Sequence, residues 1–245
     1  MRIGDCHNME PVHIVELPEL HNRTRIFQDR EQAGRVLAQM LKAYKDTSAT
    51  LLPIPAGGVP VGAEIAKALR LPLYPVVVSK ITPPWNSEVG YGAVAFDGTV
   101  RLNEALVKNL NLSQKQVEEG IIETQEKVRR RSSLFQSDQL LETLPGGTAI
   151  LVDDGLASGF TMHVAVEALL NKSASQVVVA VPTGPSHTVQ RIAANVHRIY
   201  CANIRSGISF AVADAYRHWS DVTEEEAIKL FRQRSTQGEK KRDTL

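Results

Sequence analysis

Two adjacent carboxylates, Asp153 and Asp154, stand between an apolar run, Ala149 to Val152, and a turn of small residues, Gly155 to Gly159. After the turn, Met162, Ala165, Val166 and Leu169 recur at helical spacing, so the stretch from Thr148 to Leu170 reads as strand, tight loop, helix. Such a loop presents backbone N–H groups from Ala157 to Thr161 at a helix N-terminus, where orphan donors and the helix dipole favour a phosphate. The aspartates beside it are acceptors suited to sugar hydroxyls. Adjacent strand residues point to opposite faces, so both carboxylates reach one ligand only if the strand gives way to loop at Asp153. An ordinary strand-to-helix turn, or a metal pair, remains compatible with the same residues.

The elements that must position this loop alternate along the chain. Asp29 with Gln32 caps a helix carrying Ala33, Val36, Leu37, Met40, Leu41 and Tyr44. Thr50 to Pro55 is a short apolar strand, followed by Ala56-Gly57-Gly58 and a helix with Val61, Ile65 and Leu69 on one face. Leu73 to Ser79 predicts the next strand, closed by Lys80. Ile81 to Tyr91, with two prolines and Trp85, predicts a mobile loop. Gly92 to Phe96 and Thr99 to Leu102 flank Asp97-Gly98, a type I′ hairpin signal, and a hairpin behind a long loop can act as a lid. Ser113 with Gln116 caps a helix that ends in the basic run Lys127, Arg129, Arg130, Arg131; the run reads as a solvated helix C-terminus or as a nucleic-acid contact. Gln176 to Val181 and His197 to Ala202 are further strands around a helix at Val189 to Val196. Ile204 to Trp219 is aromatic and irregular, Thr223 with Glu226 caps a last helix through Phe231, and residues 233–245 read as a polar, disordered tail. The alternation predicts a doubly wound, mostly parallel α/β sheet, with ligand chemistry at the strands' C-terminal ends.

Composition bounds the function classes. A net charge of +1 over 245 residues gives no field directed at nucleic acid or membrane. Cys6 and Cys201 are far apart in a chain large enough to bury a core, so a disulfide framework is not expected. Cys6, His7 and His13 match no usual metal-ligand spacing. The opening residues lack an apolar leader core, and the expectation is a cytoplasmic protein without a membrane span.

The stretch LVDDGLASGFT resembles the phosphoribosyl diphosphate (PRPP) motif of type I phosphoribosyltransferases, with Ser158-Gly159-Phe160-Thr161 where the family has Thr-Gly-x-Thr. LLPIPAGGVPVGAEIAKAL and VVVSKITPPWNSEVGYGAV extend the resemblance, to a little-characterised group of predicted type I phosphoribosyltransferases, over roughly residues 25–230. The resemblance implies a core over 25–203 with a lid at 81–102, a small hood from 1–24 and 204–232, a homodimer, and Mg²⁺ bound through PRPP rather than by protein ligands. It implies that Asp153, Asp154, Gly155, Leu156, Ala157, Ser158, Gly159, Phe160 and Thr161 bind PRPP. Ala56, Gly57, Gly58 and Lys80 would bind pyrophosphate, with a non-proline cis peptide expected at Ala56–Gly57. Asp154, Lys80 and Glu88 would be catalytic. A solvated strand-end lysine and a surface glutamate are the plainer readings of Lys80 and Glu88. Phe210 and Tyr216 would stack on a heterocyclic base or serve only as hood packing. That group carries Pro-Arg-Gly-Gly in the first loop and Arg-Lys before the lid; here Ala56 and Ser79 stand at those arginines. At position 157, where 6-oxopurine members carry an Asp, this chain has Ala157. Transfer of the phosphoribosyl group to a base is one implied function, and a non-catalytic PRPP sensor, favoured by the missing arginines, is the other. An α/β-hydrolase is excluded because Gly155 to Gly159 places Ser158 out of the required register.

Overall fold

The computed structural model describes residues 13–87, 89–136, 147–207 and 209–242, with side chains up to residue 233. A five-stranded parallel sheet forms its centre. The strands are β1 (Ile14–Glu16), β2 (Thr50–Pro53), β6 (Thr148–Val152), β7 (Gln176–Pro185) and β8 (Arg198–Arg205), in the order β1-β8-β7-β6-β2. Strands buried on both faces need apolar residues at successive positions, and β6 and β7 have them. Ile150, Val152, Val178 and Ala180 enter one core. Ala149, Leu151, Val177, Val179 and Val181 enter the other.

Helices cover both faces, as a doubly wound sheet requires. α1 (Arg30–Met40) and α2 (Gly58–Leu69) pack on the first face, through Leu37, Val59 and Ile65. α5 (Phe160–Asn171) and α6 (Ser186–Ala193) pack on the second, through Met162, Leu169, Val189 and Ile192. Consequently the loop after β2 rises to one face while the loop after its neighbour β6 rises to the other. Adjacent strands whose connections diverge in this way leave a crevice at their C-terminal ends.

Five features differ from the sequence-based expectation. The strand predicted at Leu73 to Ser79 is split. Leu73 bridges Leu51 at the sheet edge, and Tyr74 and Val76 donate to the β2 carbonyls of Leu51 and Pro53. The pairing with β2 stops after Val76, and β3 (Val78–Ile81) joins a separate antiparallel sheet with β4 (Gly92–Ala95) and β5 (Val100–Leu102); Pro75, between the two donors, offers no N–H to the outer edge. The strands of the predicted lid are therefore core: Ala93, Val94 and Ala95 are buried between α5 and α4 (Gln114–Leu134). Exposure is concentrated in the connection before them, where Trp85 is 59% exposed.

The hairpin turn is not type I′, which needs positive φ at both central residues. Only Gly98 has it, at +91°, in a short loop where Asp97 accepts from Thr99 N and Thr99 Oγ1 at 2.9 and 2.8 Å. Finally, the last helix, α7 (Glu224–Arg242), continues past Phe231 into the stretch expected to be a disordered tail, because its Glu-, Lys- and Arg-rich sequence is a good helix former. Short β1 pairs with β8 although residues 1–27 carry no periodicity that would have marked it.

Candidate functional site

The loop after β2 and the loop after β6 are pressed together by glycines. A Cβ on Gly57 would overlap the Asp154 carboxylate, and one on Gly58 would lie 2.6 Å from the Val152 carbonyl. The non-proline cis peptide lies at Pro55–Ala56, one bond earlier than expected at Ala56–Gly57. The resemblance places the bond one residue later; the glycine pair there is used for this close approach. Gly58 N donates to Ile54 O at 3.0 Å. The N–H groups of Ala56 and Gly57 have no acceptor among the described residues.

β6 ends at Val152, so both aspartates lie in loop and can face one ligand. Asp153 Oδ1 accepts from Asp154 N at 2.9 Å. Asp154 Oδ2 accepts from Arg30 Nε at 2.8 Å, and the Asp154 carbonyl accepts from Tyr216 Oη at 2.7 Å. Burial raises the Asp153 carboxyl well above its ordinary range and the Asp154 charge adds to this; the Asp154 N–H, Arg30 and Lys80 pull it back. Asp154 is also raised by burial, with Arg30 opposing. Two neighbouring carboxylates withdrawn from water disfavour double ionisation, and the cations around them limit that cost.

The turn that follows is held from behind. Thr188 Oγ1 donates to the Ala157 carbonyl at 3.1 Å, and the Arg191 guanidinium donates to the Ser158 carbonyl. Gly159 sits at φ +68° as the N-cap of α5, where a Cβ would meet Thr188. Phe160 N donates to Ser158 Oγ at 3.3 Å. With the carbonyls occupied, the N–H groups of Ala157, Ser158, Gly159 and Thr161 have no acceptor among the described residues. Four donors at a helix N-terminus form an anion site. Two residues expected here serve packing: Leu156 is buried with its N–H on Thr183 O, and a Cβ on Gly155 would collide with Val212.

The other expected residues divide. Lys80, exposed on β3, is close enough to Asp153 to affect its charge, and its stem lies along Gly90. Glu88 lies outside the described residues. Tyr216 is 3% exposed, its ring packed against Phe27 and Trp219, so it is no open platform for a base. Phe210 carries the Arg205 guanidinium 5.3 Å from its ring centroid, and no contact among the described residues joins it to the aspartates.

A turn with unpaired N–H donors, an acidic pair and a second donor loop thus converge in one crevice. Residues 23–215 match the phosphoribosyl transferase domain. The chain belongs to that family. It is 33% identical over 207 residues, 84% of its length, to two Mycobacterium tuberculosis proteins, "Putative phosphoribosyl transferase Rv0571c" of strain H37Rv and its counterpart MT0597 of strain CDC 1551. The match covers 46% of each, so the chain spans about half the length of these curated relatives. Among solved structures it is similar to TT1426 from Thermus thermophilus, with 28% identity, a TM-score of 0.62, and coverage of 84% of this chain and 98% of that one.

Three residues of the chain, Arg30 and Arg131 within the matched domain and Trp219 just beyond it, line this region unannounced by the motifs. Arg30 opens α1 on the stripe that continues through Ala33 and Leu37, which turns it inward; it is 8% exposed. Besides Asp154 it donates to the Ser220 carbonyl at 2.7 Å, and it lies 3.9 Å from the ring centroid of Trp219. Trp219, 38% exposed, is an open aromatic against Arg30 and Tyr216. Arg131 falls seven residues after Thr124 and fourteen after Val117, both buried on α4, so it faces the protein rather than solvent. Among the described residues no group of three His, Cys, Asp or Glu could hold a metal, and no helix is long and apolar enough to cross a membrane.

Proposed function

We propose that this domain transfers the phosphoribosyl group of PRPP to a nucleobase or related heterocycle, releasing pyrophosphate. The observation that carries the reading is the pairing of Asp153 and Asp154 with four free N–H groups one turn further on, in a crevice whose opposite wall offers the N–H groups of Ala56 and Gly57. The 157–161 turn takes the 5′-phosphate and the aspartates accept from the ribose hydroxyls. Ala56, Gly57 and Lys80 face the diphosphate.

Displacement at the sugar carbon passes through an oxocarbenium-like state, as glycoside cleavage does, so holding the ribose and stabilising the leaving anion supply most of the catalysis. Asp154 has to exchange its bond with Arg30 for one with a ribose hydroxyl, which frees Arg30 to move with Trp219 toward the acceptor. Mg²⁺ fits this site only through oxygens of PRPP and water, with Asp153 and Asp154 as the carboxylates nearest to it. When bound it supplies charge neutralisation on the diphosphate.

A PRPP sensor without turnover is the second reading, favoured by Ala56 and Ser79, which provide no guanidinium, and by the Arg30 contact that occupies Asp154. Incubation with PRPP, Mg²⁺ and a panel of bases separates the two. The transferase releases pyrophosphate with at least one base of the panel. PRPP binding with no base-dependent release would overturn transfer.

A further inference from the structure

Positions 56 and 79 bring no guanidinium to the diphosphate wall, yet a guanidinium stands between them. Arg131 Nη1 donates to Ser79 Oγ at 3.1 Å, Nη2 to the Pro55 carbonyl at 3.4 Å, and Nε to Glu224 at 2.5 Å. We propose that Arg131, reaching forward from α4, is the arginine of the diphosphate subsite. The inference rests on the PRPP reading above and deepens it.

Three observations converge. First, the side chain is only 11% exposed, and a charge taken that far from water needs compensation. Glu224 provides it incompletely, because the same carboxylate also accepts from Arg130 at 3.3 Å. One anion shared by two guanidiniums leaves net positive charge beside the loop. Second, an arginine has five N–H donors, and only three of Arg131's have acceptors among the described residues. Third, its contacts fix where the remaining donors lie. Pro55 immediately precedes Ala56 and Gly57 with their free N–H groups, and Ser79 immediately precedes Lys80. Fork and backbone donors therefore meet at the loop after β2, with the Lys80 ammonium on the other face of β3 and close enough to act on Asp153, and a planar fork matches the oxygens of a diphosphate as a lysine does not. Had Arg131 been only a strut for the loop, an uncharged donor or a fully neutralised pair would have served.

The test separates the two ends of PRPP. Ribose 5-phosphate, pyrophosphate and PRPP are titrated calorimetrically, with Mg²⁺, into the wild-type chain and Arg131→Met, with thermal melts to verify folding. Arg131→Met is expected to lose at least about tenfold in affinity for pyrophosphate and PRPP, the scale of a lost charge-assisted hydrogen bond, while ribose 5-phosphate binding is unchanged. Arg131→Lys, which keeps the charge without the fork, falls between, and it carries the test should Arg131→Met not fold. Ala56→Arg added to Arg131→Met restores pyrophosphate affinity. Equal losses for pyrophosphate and ribose 5-phosphate, or no loss for pyrophosphate, would overturn the assignment while leaving the PRPP reading intact. A wild-type chain that binds no PRPP would overturn both.

Discussion

The two walls of the crevice are built by opposite strategies. The wall we assign to phosphate and ribose is one contiguous stretch: β6, the Asp153-Asp154 pair, and the turn into α5. The wall we assign to the diphosphate is assembled from four separate places, the loop after β2, the end of β3, the buried face of α4 and the start of α7. A contiguous wall has its donors and acceptors supplied by one strand, one turn and one helix, and long-range partners such as Thr188, Arg191 and Arg30 only brace them. An assembled wall depends on long-range packing, so its residues are dispersed in the sequence and its charges are shared. A missing motif residue is therefore not the same as a missing chemical group.

If the contrast holds, changes in the two walls have separable effects. The largest is expected from Asp153→Asn with Asp154→Asn, which replaces both charged ribose acceptors with neutral amides and lowers ribose 5-phosphate and PRPP affinity by about a hundredfold or more, on the scale of two lost charge-assisted hydrogen bonds. Gly57→Ala comes next. Its Cβ overlaps the Asp154 carboxylate and forces the two loops apart, so binding of both half-ligands falls by roughly tenfold, and titration with each half-ligand checks it. Losses limited to one half-ligand would show that the walls do not depend on each other there.

The smallest effect concerns stability, and its sign is favourable. Asp153 is raised by burial in the folded chain, so the fold holds that proton more tightly than the unfolded chain does. This contribution is fully present below the ordinary carboxylate value and is lost as pH rises through the raised folded value. At neutral pH the buried charge is a liability, and Asp153→Asn, which keeps an acceptor for Asp154 N, is expected to raise the melting midpoint by about a few degrees, on the scale of 1 kcal/mol for a chain of this size. The gain shrinks toward zero as the wild-type acid becomes protonated. Thermal melts over the acidic range check it, and a gain that grows on acidification would contradict the sign.

Much of this is legible in the sequence. Apolar runs mark β2, β6, β7 and β8, and capping residues place α1, α4 and α7, with Ser113 and Gln116 forming both bonds of a capping box. The contiguous wall is equally plain, because its donors and acceptors follow one another along the chain. Expectation and structure part where a long-range partner decides the outcome. The valine-rich strand leaves the central sheet after Val76 to pair with the hairpin, and the hairpin that reads as a flap is buried between α4 and α5. Tyr216 reads as a stacking surface, but its ring is packed and its hydroxyl is committed to Asp154. Arg131 reads as part of a solvated basic run, although its spacing from Val117 and Thr124 already places it on the buried stripe of α4. Arg30 carries the same signal on α1. Cationic residues at core-facing helical positions are the readable trace of the long-range partners of both walls.

The most direct measurement is a calorimetric titration of ribose 5-phosphate and, separately, pyrophosphate into the chain carrying Asp153→Asn and Asp154→Asn. Ribose 5-phosphate binding is expected to be lost while pyrophosphate still binds within about twofold of the wild-type affinity, since its donors lie on the other wall. Unchanged ribose 5-phosphate affinity in a folded variant would contradict the assignment of the aspartates to the ribose.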